Sequence, residues 1–306
     1  MHPGVNPFDT NGVWLRCALH AHTTNSDGDL PPTALAAHYA RARYDVLAIT
    51  DHWRRTDDPS GELLVVPSAE VNCLLPGELD GHVLGFGIDA EPMELAYERP
   101  DLAAAVAWIR GHGGVAYLAH PNWTGAAMGE LELPDELAGV EVYNAGCELE
   151  VARGVSSVHW DAVLETGRLC FGIAADDSHH PGFDSDLAWV WLRAAERTQT
   201  AVLEGLSAGC FYSSTGPLIH DARLVDGAVE VRCGPCRSVT LCAGRERGAA
   251  VNAGRLGYRY AGEVVATTDD DAITGARLGR PRGAPYGRVE VVDFQGRKAW
   301  TNPLWL

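Results

Sequence analysis

The sequence predicts an α/β protein, a distorted barrel of mostly parallel strands followed by a small all-β, sandwich-like domain. Over the first two thirds of the 306 residues, short apolar runs alternate with helical patterns, which is typical of βα units that build a parallel sheet with helices outside. About seven or eight such strands in roughly 200 residues favour closure into a barrel. After Gly216-Pro217 the pattern changes to strands joined by glycine-centred turns, which indicates a β-sandwich. We therefore expect two domains, residues 1–216 and 217–306.

The elements follow from apolar runs and from helix start and stop signals. Pro31-Pro32 suits a helix start and Gly113-Gly114 a helix stop. In the first domain we predict strands at residues 14–19, 45–50, 63–67, 83–88, 115–119, 140–143, 170–174 and 187–192. Helices are predicted at residues 33–43, 102–112, 151–166 and 198–209. In the second domain we predict strands at residues 222–225, 228–232, 238–242, 259–267 and 288–294.

The charge balance excludes some partners. With 24 basic and 41 acidic residues the formal charge is −17, and no cluster of Lys and Arg is present, so long nucleic acid and anionic membranes are not expected as partners. No run of 18 apolar residues and no secretory signal pattern is present. We therefore expect a cytoplasmic protein whose eight cysteines are mostly reduced. The oligomeric state is left open.

The pair Cys233 and Cys236 has the spacing of a redox dithiol. Such a motif normally opens a helix after a strand, whereas here strand-like segments lie on both sides. A turn between two strands is therefore the favoured interpretation. A zinc site would need two more ligands nearby, and the neighbouring sequence offers none.

Nine metal-type side chains recur along the first domain. A neutral imidazole or a carboxylate is a suitable ligand for a borderline divalent cation, and nine such groups suggest two or three ions. The nine residues are His20, His22, Asp27, His52, Glu70, His82, His120, Asp177 and His179.

The placement of these residues indicates one shared site. His20 and His22 are two positions apart, as are Asp177 and His179, so on an extended segment each pair points to one face. Most of the nine close an apolar run, and the carboxyl ends of parallel strands meet at one mouth of a barrel. His82 precedes its run and reaches that mouth only if its strand is antiparallel to the one before it, or if the loop folds back.

Together these segments resemble the PHP superfamily of polymerases and histidinol phosphatases. The matching motifs are Leu19-His20-Ala21-His22-Thr23, Ser26-Asp27-Gly28, Thr50-Asp51-His52, Ala69-Glu70, Gly81-His82-Val83, Ala119-His120-Pro121 and Asp176-Asp177-Ser178-His179. The resemblance covers about residues 12–216 and implies a distorted seven-stranded β/α barrel. The added β-domain is similar to the branch that includes carbaryl-type carbamate hydrolases. Asp176 departs from the family pattern, which has a small residue before the aspartate.

The resemblance also implies the ligand roles. His20, His22, Glu70 and Asp177 would hold a first metal, and Glu70 would bridge to a second metal held by His82 and His120. Asp27, His52 and His179 would hold a third. The cofactors would be two or three divalent ions, with manganese, iron and zinc almost equally suited to mixed nitrogen and oxygen ligands.

The remaining site residues are expectations from their positions just beyond motifs or strand ends. Arg54, Asn122, Asn144 and Arg153 are candidate substrate contacts. His180 is grouped with His20, His22, Glu70 and Asp177 as a catalytic candidate, because it could act as a proton donor.

Three functions are compatible with the sequence. The first is a metal-dependent phosphoesterase that uses metal-activated water on a small phosphorylated metabolite or nucleotide. The second is a carbamate or carboxylic ester hydrolase with the same metal site. The third is a weakly catalytic binding module, and the complete ligand set argues against it.

Overall fold

A computed structural model describes residues 4–57, 59, 61–127, 133–254 and 257–306. After a short 3₁₀ helix at Pro7–Asp9, the strands of the first part are β1 (Val13–Ala18), β2 (Val46–Ile49), β3 (Leu64–Leu75), β4 (Leu79–Phe86), β5 (Val115–Leu118), β6 (Leu137–Asn144), β7 (Phe171–Ala175), β8 (Trp189–Ala194) and β9 (Phe211–Ser214). The helices are α1 (Pro32–Arg41), α2 (Met93–Ala96), α3 (Leu102–Gly111), α4 (Pro121–Thr124), α5 (Ala145–Val151), α6 (Ser157–Glu165) and α7 (Gln199–Ala208).

The second part consists of strands alone among its described residues. They are β10 (Ile219–Val225), β11 (Ala228–Cys236), β12 (Ser238–Cys242), β13 (Gly248–Asn252), β14 (Arg259–Tyr260), β15 (Gly262–Thr267), β16 (Ile273–Gly279), β17 (Tyr286–Val292), β18 (Lys298–Thr301) and β19 (Leu304–Trp305).

Strands β1 to β7 form the distorted barrel. β1, β2 and β3 are parallel neighbours, as are β5, β6 and β7. β4 lies between these two groups and is antiparallel to both β3 and β5. The barrel closes beyond the carboxyl ends of β1 and β7, where the His22 amide donates to the Ser178 carbonyl (2.9 Å) and the Asp177 amide to the His20 carbonyl (3.0 Å).

The short strands have the burial that a barrel covered by helices requires. All residues of β2, β5 and β7 are buried, which agrees with their continuous apolar runs, since strands buried on both faces do not alternate. Asp101 is the N-cap of helix α3, and its side chain accepts a hydrogen bond from the Ala104 amide. Its buried face, which includes Val106 and Ile109, packs on the barrel.

The second part is a β-sandwich. One sheet has the order β10-β11-β16-β15, and the facing layer is formed by β14-β13-β12-β17-β18. Both layers contribute to a single apolar cluster, with Val231 and Leu278 from the first sheet and Leu241 and Val291 from the second. The sandwich is joined to the barrel, because β18 pairs with β9 in an antiparallel ladder.

Three element predictions were wrong. The helix predicted at residues 151–166 is only α6, because Ala152 adopts a left-handed φ of 57° that ends the preceding helix α5 and the chain becomes helical again at Ser157. The strand predicted at 259–267 is divided by Ala261, with a φ of 50°. The strand predicted to end at residue 67 continues to Leu75, since it forms a long hairpin with β4. Strands β9, β13, β16, β18 and β19 and helices α2, α4 and α5 were not predicted.

The cysteines are free thiols throughout. Cys233 and Cys236 belong to the end of β11, where the pairing with β16 shifts register between Arg232 and Cys236. Their sulfurs lie 3.6 Å apart and both side chains are buried. The motif is thus a bulged strand end before β12, close to the predicted turn. Within the described residues, no helix combines the length and apolar character needed to cross a bilayer.

Candidate metal centre

The barrel brings the nine predicted ligands to one mouth, six of them just after strand ends, two within strands and Asp27 from a loop. His20 and His22 follow β1, His52 follows β2, His120 follows β5, and Asp177 and His179 follow β7. Glu70 lies within β3 beside the end of β2, linked to His52 by a β-bridge. His82 lies within β4, and the antiparallel direction of this strand, one of the two expected arrangements, brings its side chain to the same mouth.

The most tightly packed group consists of His20, His22, Glu70 and Asp177, all of them buried. His20 Nε2 lies 3.1 Å from both Glu70 Oε2 and Asp177 Oδ1. His22 Nε2 lies 3.2 Å from the same two oxygens. Two ligands of one ion with bonds of about 2.0–2.2 Å are at most about 4.4 Å apart, so these four atoms can share an ion.

The other oxygen of Glu70 faces a second group. Glu70 Oε1 lies 2.8 Å from His82 Nδ1 and 3.3 Å from His120 Nε2. His52 Nε2 approaches Glu70 from a third side, 3.5 Å from Oε2. Glu70 therefore stands between two sets of imidazoles with one oxygen directed to each.

A third group surrounds Asp27 at the edge of the mouth. Asp27 Oδ2 lies 3.5 Å from His179 Nε2 and 3.7 Å from His52 Nε2, and Asp27 Oδ1 lies 3.3 Å from His22 Nδ1. The turn that presents Asp27 needs a glycine next to it, because a Cβ on Gly28 would lie only 2.3 Å from the His22 carbonyl oxygen.

Buried atoms without a well-aligned hydrogen bond indicate that the first group fits a divalent ion. His22 Nε2 and Asp177 Oδ1 are buried and make no well-aligned hydrogen bond, although they lie 3.2 Å apart. An ion bound between the four ligand atoms would give both atoms a direct partner. Mixed imidazole and carboxylate donors suit first-row divalent metals.

The charges of the group are strongly coupled. Burial lowers the pKa of His20, but the carboxylates Asp177, Glu70 and Glu141 raise it more, so the pKa lies well above its ordinary value. The pKa of His22 is raised in the same way against burial, by Asp177, Asp27 and Glu70. The concentrated negative charge that holds these protons is also what attracts a cation.

Three further buried carboxylates support the centre without belonging to it. Glu141 accepts from His20 Nδ1 at 2.8 Å. Asp51 accepts from the Thr23 amide and from the hydroxyls of Thr23, Ser26 and Thr56, which fixes the loop that carries Asp27.

Asp176, the residue that departs from the family pattern, is the third of these carboxylates. It accepts from three successive amides at residues 186–188 and from the Tyr39 hydroxyl. Burial raises the pKa of Asp176 to about 6.

The centre opens into a small cleft of about 210 Å³. Besides metal-type residues, its walls include Trp123, Cys147 and Glu150. The Trp123 ring packs against His120 and His82, with ring centroids 4.9 and 5.8 Å away. Among the described residues that line the cleft, none is Lys or Arg.

The residues predicted to contact substrate lie elsewhere or have other contacts. Arg54 is exposed and pairs with Glu91 at 3.1 Å, and Arg153 is exposed beside Gly125. Asn122 lies in α4 and is half-buried, and its backbone amide donates to Ser156 Oγ. These three side chains do not line the cleft.

Asn144 and His180 also differ in position from the expectation. Asn144 is fully buried and donates to Glu141 Oε2 (2.9 Å) and to Asp177 Oδ2 (3.1 Å), so its side chain orients a ligand carboxylate. His180 is largely exposed, and its Nδ1 pairs with Asp29 at 2.8 Å. It does not line the cleft.

Sequence reasoning missed Glu141, Cys147 and Glu150. Glu141 carried a signal, because a charged residue in the apolar run Val140-Glu141-Val142 is rarely buried without a partner. Cys147 and Glu150 belong to α5, a helix that was not predicted.

Comparisons with known proteins establish the fold. Over 99% of its length the chain matches 98% of a two-domain protein from Bacteroides vulgatus that contains a predicted PHP-like metal-dependent phosphoesterase, with 16% identity and a TM-score of 0.54. Over 55% of its length it matches 89% of an amidohydrolase from Chromobacterium violaceum, with 19% identity and a TM-score of 0.38. No family model and no curated protein matches the sequence. The chain thus has the two-domain fold of the Bacteroides protein.

Proposed function

We propose that the chain is a metal-dependent hydrolase of the PHP superfamily, and specifically a phosphoesterase that acts on a small phosphorylated metabolite or nucleotide. The observation that carries the proposal is the convergence of His20 Nε2, His22 Nε2, Glu70 Oε2 and Asp177 Oδ1 at separations of 3.1–3.2 Å. These four residues would hold a first divalent ion.

The two oxygens of Glu70 support a second ion. One oxygen faces the first group, and the other faces His82 and His120, as a bridging ligand requires. Asp27, His52 and His179, with His22 at their edge, would complete a third position. Divalent ions bound here would act as Lewis acids and lower the pKa of a bound water. Manganese, iron and zinc all suit the donor set.

The protein would contribute a shielded site and a narrow entrance. Trp123 packs against two of the imidazoles and would limit the access of water from that side. The cleft of about 210 Å³ is smaller than a typical ligand pocket of about 300–1,000 Å³, so it would admit only the reacting end of a substrate. Asn122 and Arg153 would contact the part of the substrate that stays outside, and a proton-donor role for His180 remains a prediction.

One observation favours the second candidate function, a carbamate or carboxylic ester hydrolase with the same metal site. The described cleft lining contains no Lys or Arg, while Glu150 adds a negative charge. The bound ions would themselves offset the carboxylates and attract a phosphate, but the described lining offers no further cation for a second phosphate, so an uncharged ester group would fit as well as a single phosphate.

A side-by-side hydrolysis assay would test the proposal. Protein loaded with manganese or zinc would be offered a phosphate monoester, a phosphate diester, a nucleoside bisphosphate and an aryl carbamate. We expect metal-dependent phosphate release that is lost in His20→Ala, together with most of the bound metal. The matched control is His112→Ala, because His112 is partly exposed and its side chain contacts Asp89 and Trp108, outside the site.

The outcomes are distinct. Cleavage of the carbamate alone would replace the phosphoesterase assignment with the second candidate. Full activity and full metal content in His20→Ala would show that the site assignment is wrong.

A further inference from the structure

Glu141 is a buried carboxylate at the centre of the network behind the metal ligands. It lies in β6, is fully buried and does not line the cleft. Its Oε1 lies 2.8 Å from His20 Nδ1. Its Oε2 accepts from the backbone amide of His120 at 2.7 Å and from the Asn144 side-chain amide at 2.9 Å.

We propose that Glu141 is a positioning residue that holds ligands of two metal positions at once. The proposal rests on the proposed function of the site as a metal centre. Its basis is that one carboxylate contacts His20, from the first group, and His120, which faces the other oxygen of Glu70.

The contact with His20 sets the tautomer of this ring. An ionised carboxylate only accepts hydrogen bonds, so when the His20 ring is neutral its single proton is held on Nδ1 and the lone pair is on Nε2. Nε2 is the atom that points to Glu70 and Asp177. A carboxylate behind a metal-bound imidazole both orients the ring and makes its free nitrogen a stronger ligand.

The contact with His120 acts through the backbone. His120 has φ 25° and ψ 57°, a conformation that a residue other than glycine rarely adopts and that the surrounding structure must maintain. The hydrogen bond from the His120 amide to Glu141 fixes this turn, which directs the imidazole toward Glu70 Oε1 at 3.3 Å.

Asn144 extends the network to a third ligand. Its amide group donates both to Glu141 Oε2 and to Asp177 Oδ2 at 3.1 Å. Asp177 Oδ1 makes no well-aligned hydrogen bond and faces the two imidazoles of the first group. Only a carboxylate at residue 141 can accept from His20, His120 and Asn144 together. A glutamine would place its own NH₂ group, a donor, opposite at least one of these three donors.

Glu141→Gln tests the proposal, with Asp293→Asn as the matched control. Asp293 is also buried and accepts from two backbone amides and from Arg297 Nε, but it lies in the sandwich. Both variants are expected to melt at a lower temperature than the unchanged chain. In competition with a chelator, we expect Glu141→Gln to bind zinc about 10–100-fold more weakly, and Asp293→Asn to bind it normally.

The zinc affinity of Glu141→Gln decides whether Glu141 positions the metal ligands or only contributes to the packing of the barrel. Unchanged zinc affinity in Glu141→Gln, at a melting temperature lowered as in the control, would overturn the proposal. If Glu141→Gln does not fold, Glu141→Asp replaces it, and wild-type zinc affinity in that variant would overturn the proposal equally. Weaker zinc binding by Glu141→Gln, in a chain that hydrolyses none of the substrates offered, would support the positioning role and contradict only the proposed function.

Discussion

At the level of single residues, the metal centre was more predictable than the residues that support it. Imidazoles and carboxylates that close apolar runs are visible in the sequence, since strand ends of a barrel converge. The hydrogen-bond partners of Glu141 and Asp176 depend on which loops meet, and no sequence pattern states this. Asp177 has a φ of 54° and His120 a φ of 25°, conformations that local propensity does not predict.

The coupled charges predict that metal binding depends on pH. The raised pKa values of His20 and His22 mean that both imidazoles keep their protons to a higher pH than a free histidine, and a protonated imidazole cannot bind a metal. Zinc affinity should therefore rise with pH, by up to about tenfold per pH unit for each proton displaced. Chelator competition at about pH 6, 7 and 8 would measure this.

Zinc affinity is expected to rise with pH because the proton and the metal compete for the same imidazole nitrogens. Lowering the pH favours the protonated, metal-free state, and the dependence should level off only above the raised pKa values of the two histidines. An affinity that stays constant between about pH 6 and 8 would contradict the assignment of these imidazoles as ligands.

At the level of elements, the expected place of a functional residue limited the possible strand directions. His82 could join the site on a strand antiparallel to its neighbour or through a loop that folds back, and the structure has the first arrangement, since β4 is antiparallel to β3. The gap between α5 and α6 was missed, because Ala152 is a good helix former in sequence yet adopts a left-handed conformation. Here tertiary contacts override propensity, since the segment after Ala152 turns back onto β6, where the Asn144 amide donates to the Gly154 carbonyl at 3.1 Å and the Ser156 amide to the Val142 carbonyl at 2.9 Å.

An ion pair between two elements gives a stability prediction. Arg288 of β17 is almost fully buried and donates from two nitrogens to Asp161 of α6, at 2.6 and 2.7 Å. Asp161→Ala should destabilise the chain by about 2–4 kcal/mol, because it leaves a buried guanidinium without its main partner. Urea denaturation would measure the free energy of unfolding.

The control is Glu230→Ala, which breaks the exposed pair with Arg277 on the neighbouring strand. Pairs of this kind contribute about 0–1 kcal/mol. Equal losses in the two variants would show that the contact between α6 and β17 contributes no more than a surface pair.

At the level of the whole molecule, the change of pattern after Gly216 predicted a β-sandwich but not how it joins the barrel. The pairing of β9 with β18 makes one continuous sheet of both parts. Trp300 is buried in the core cluster of the barrel and stacks on Tyr143, with ring centroids 6.0 Å apart. Such contacts join residues far apart in sequence, so neither periodicity nor composition reveals them.

A chain that ends at Gly216 would lose β18 as the partner of β9 and Trp300 as part of the barrel core. The edge of β9 would then be unpaired, and an unpaired strand edge promotes aggregation. We therefore expect a lower melting temperature and association in size-exclusion chromatography. Asn302→Ala provides a graded comparison in the full chain, because Asn302 accepts from the Gly172 amide and donates to the carbonyls of Gly209 and Phe211. Leaving these buried groups unpaired should cost about 1–3 kcal/mol. A monomeric truncated chain with full thermal stability and zinc affinity would mean that the barrel is independent of the sandwich.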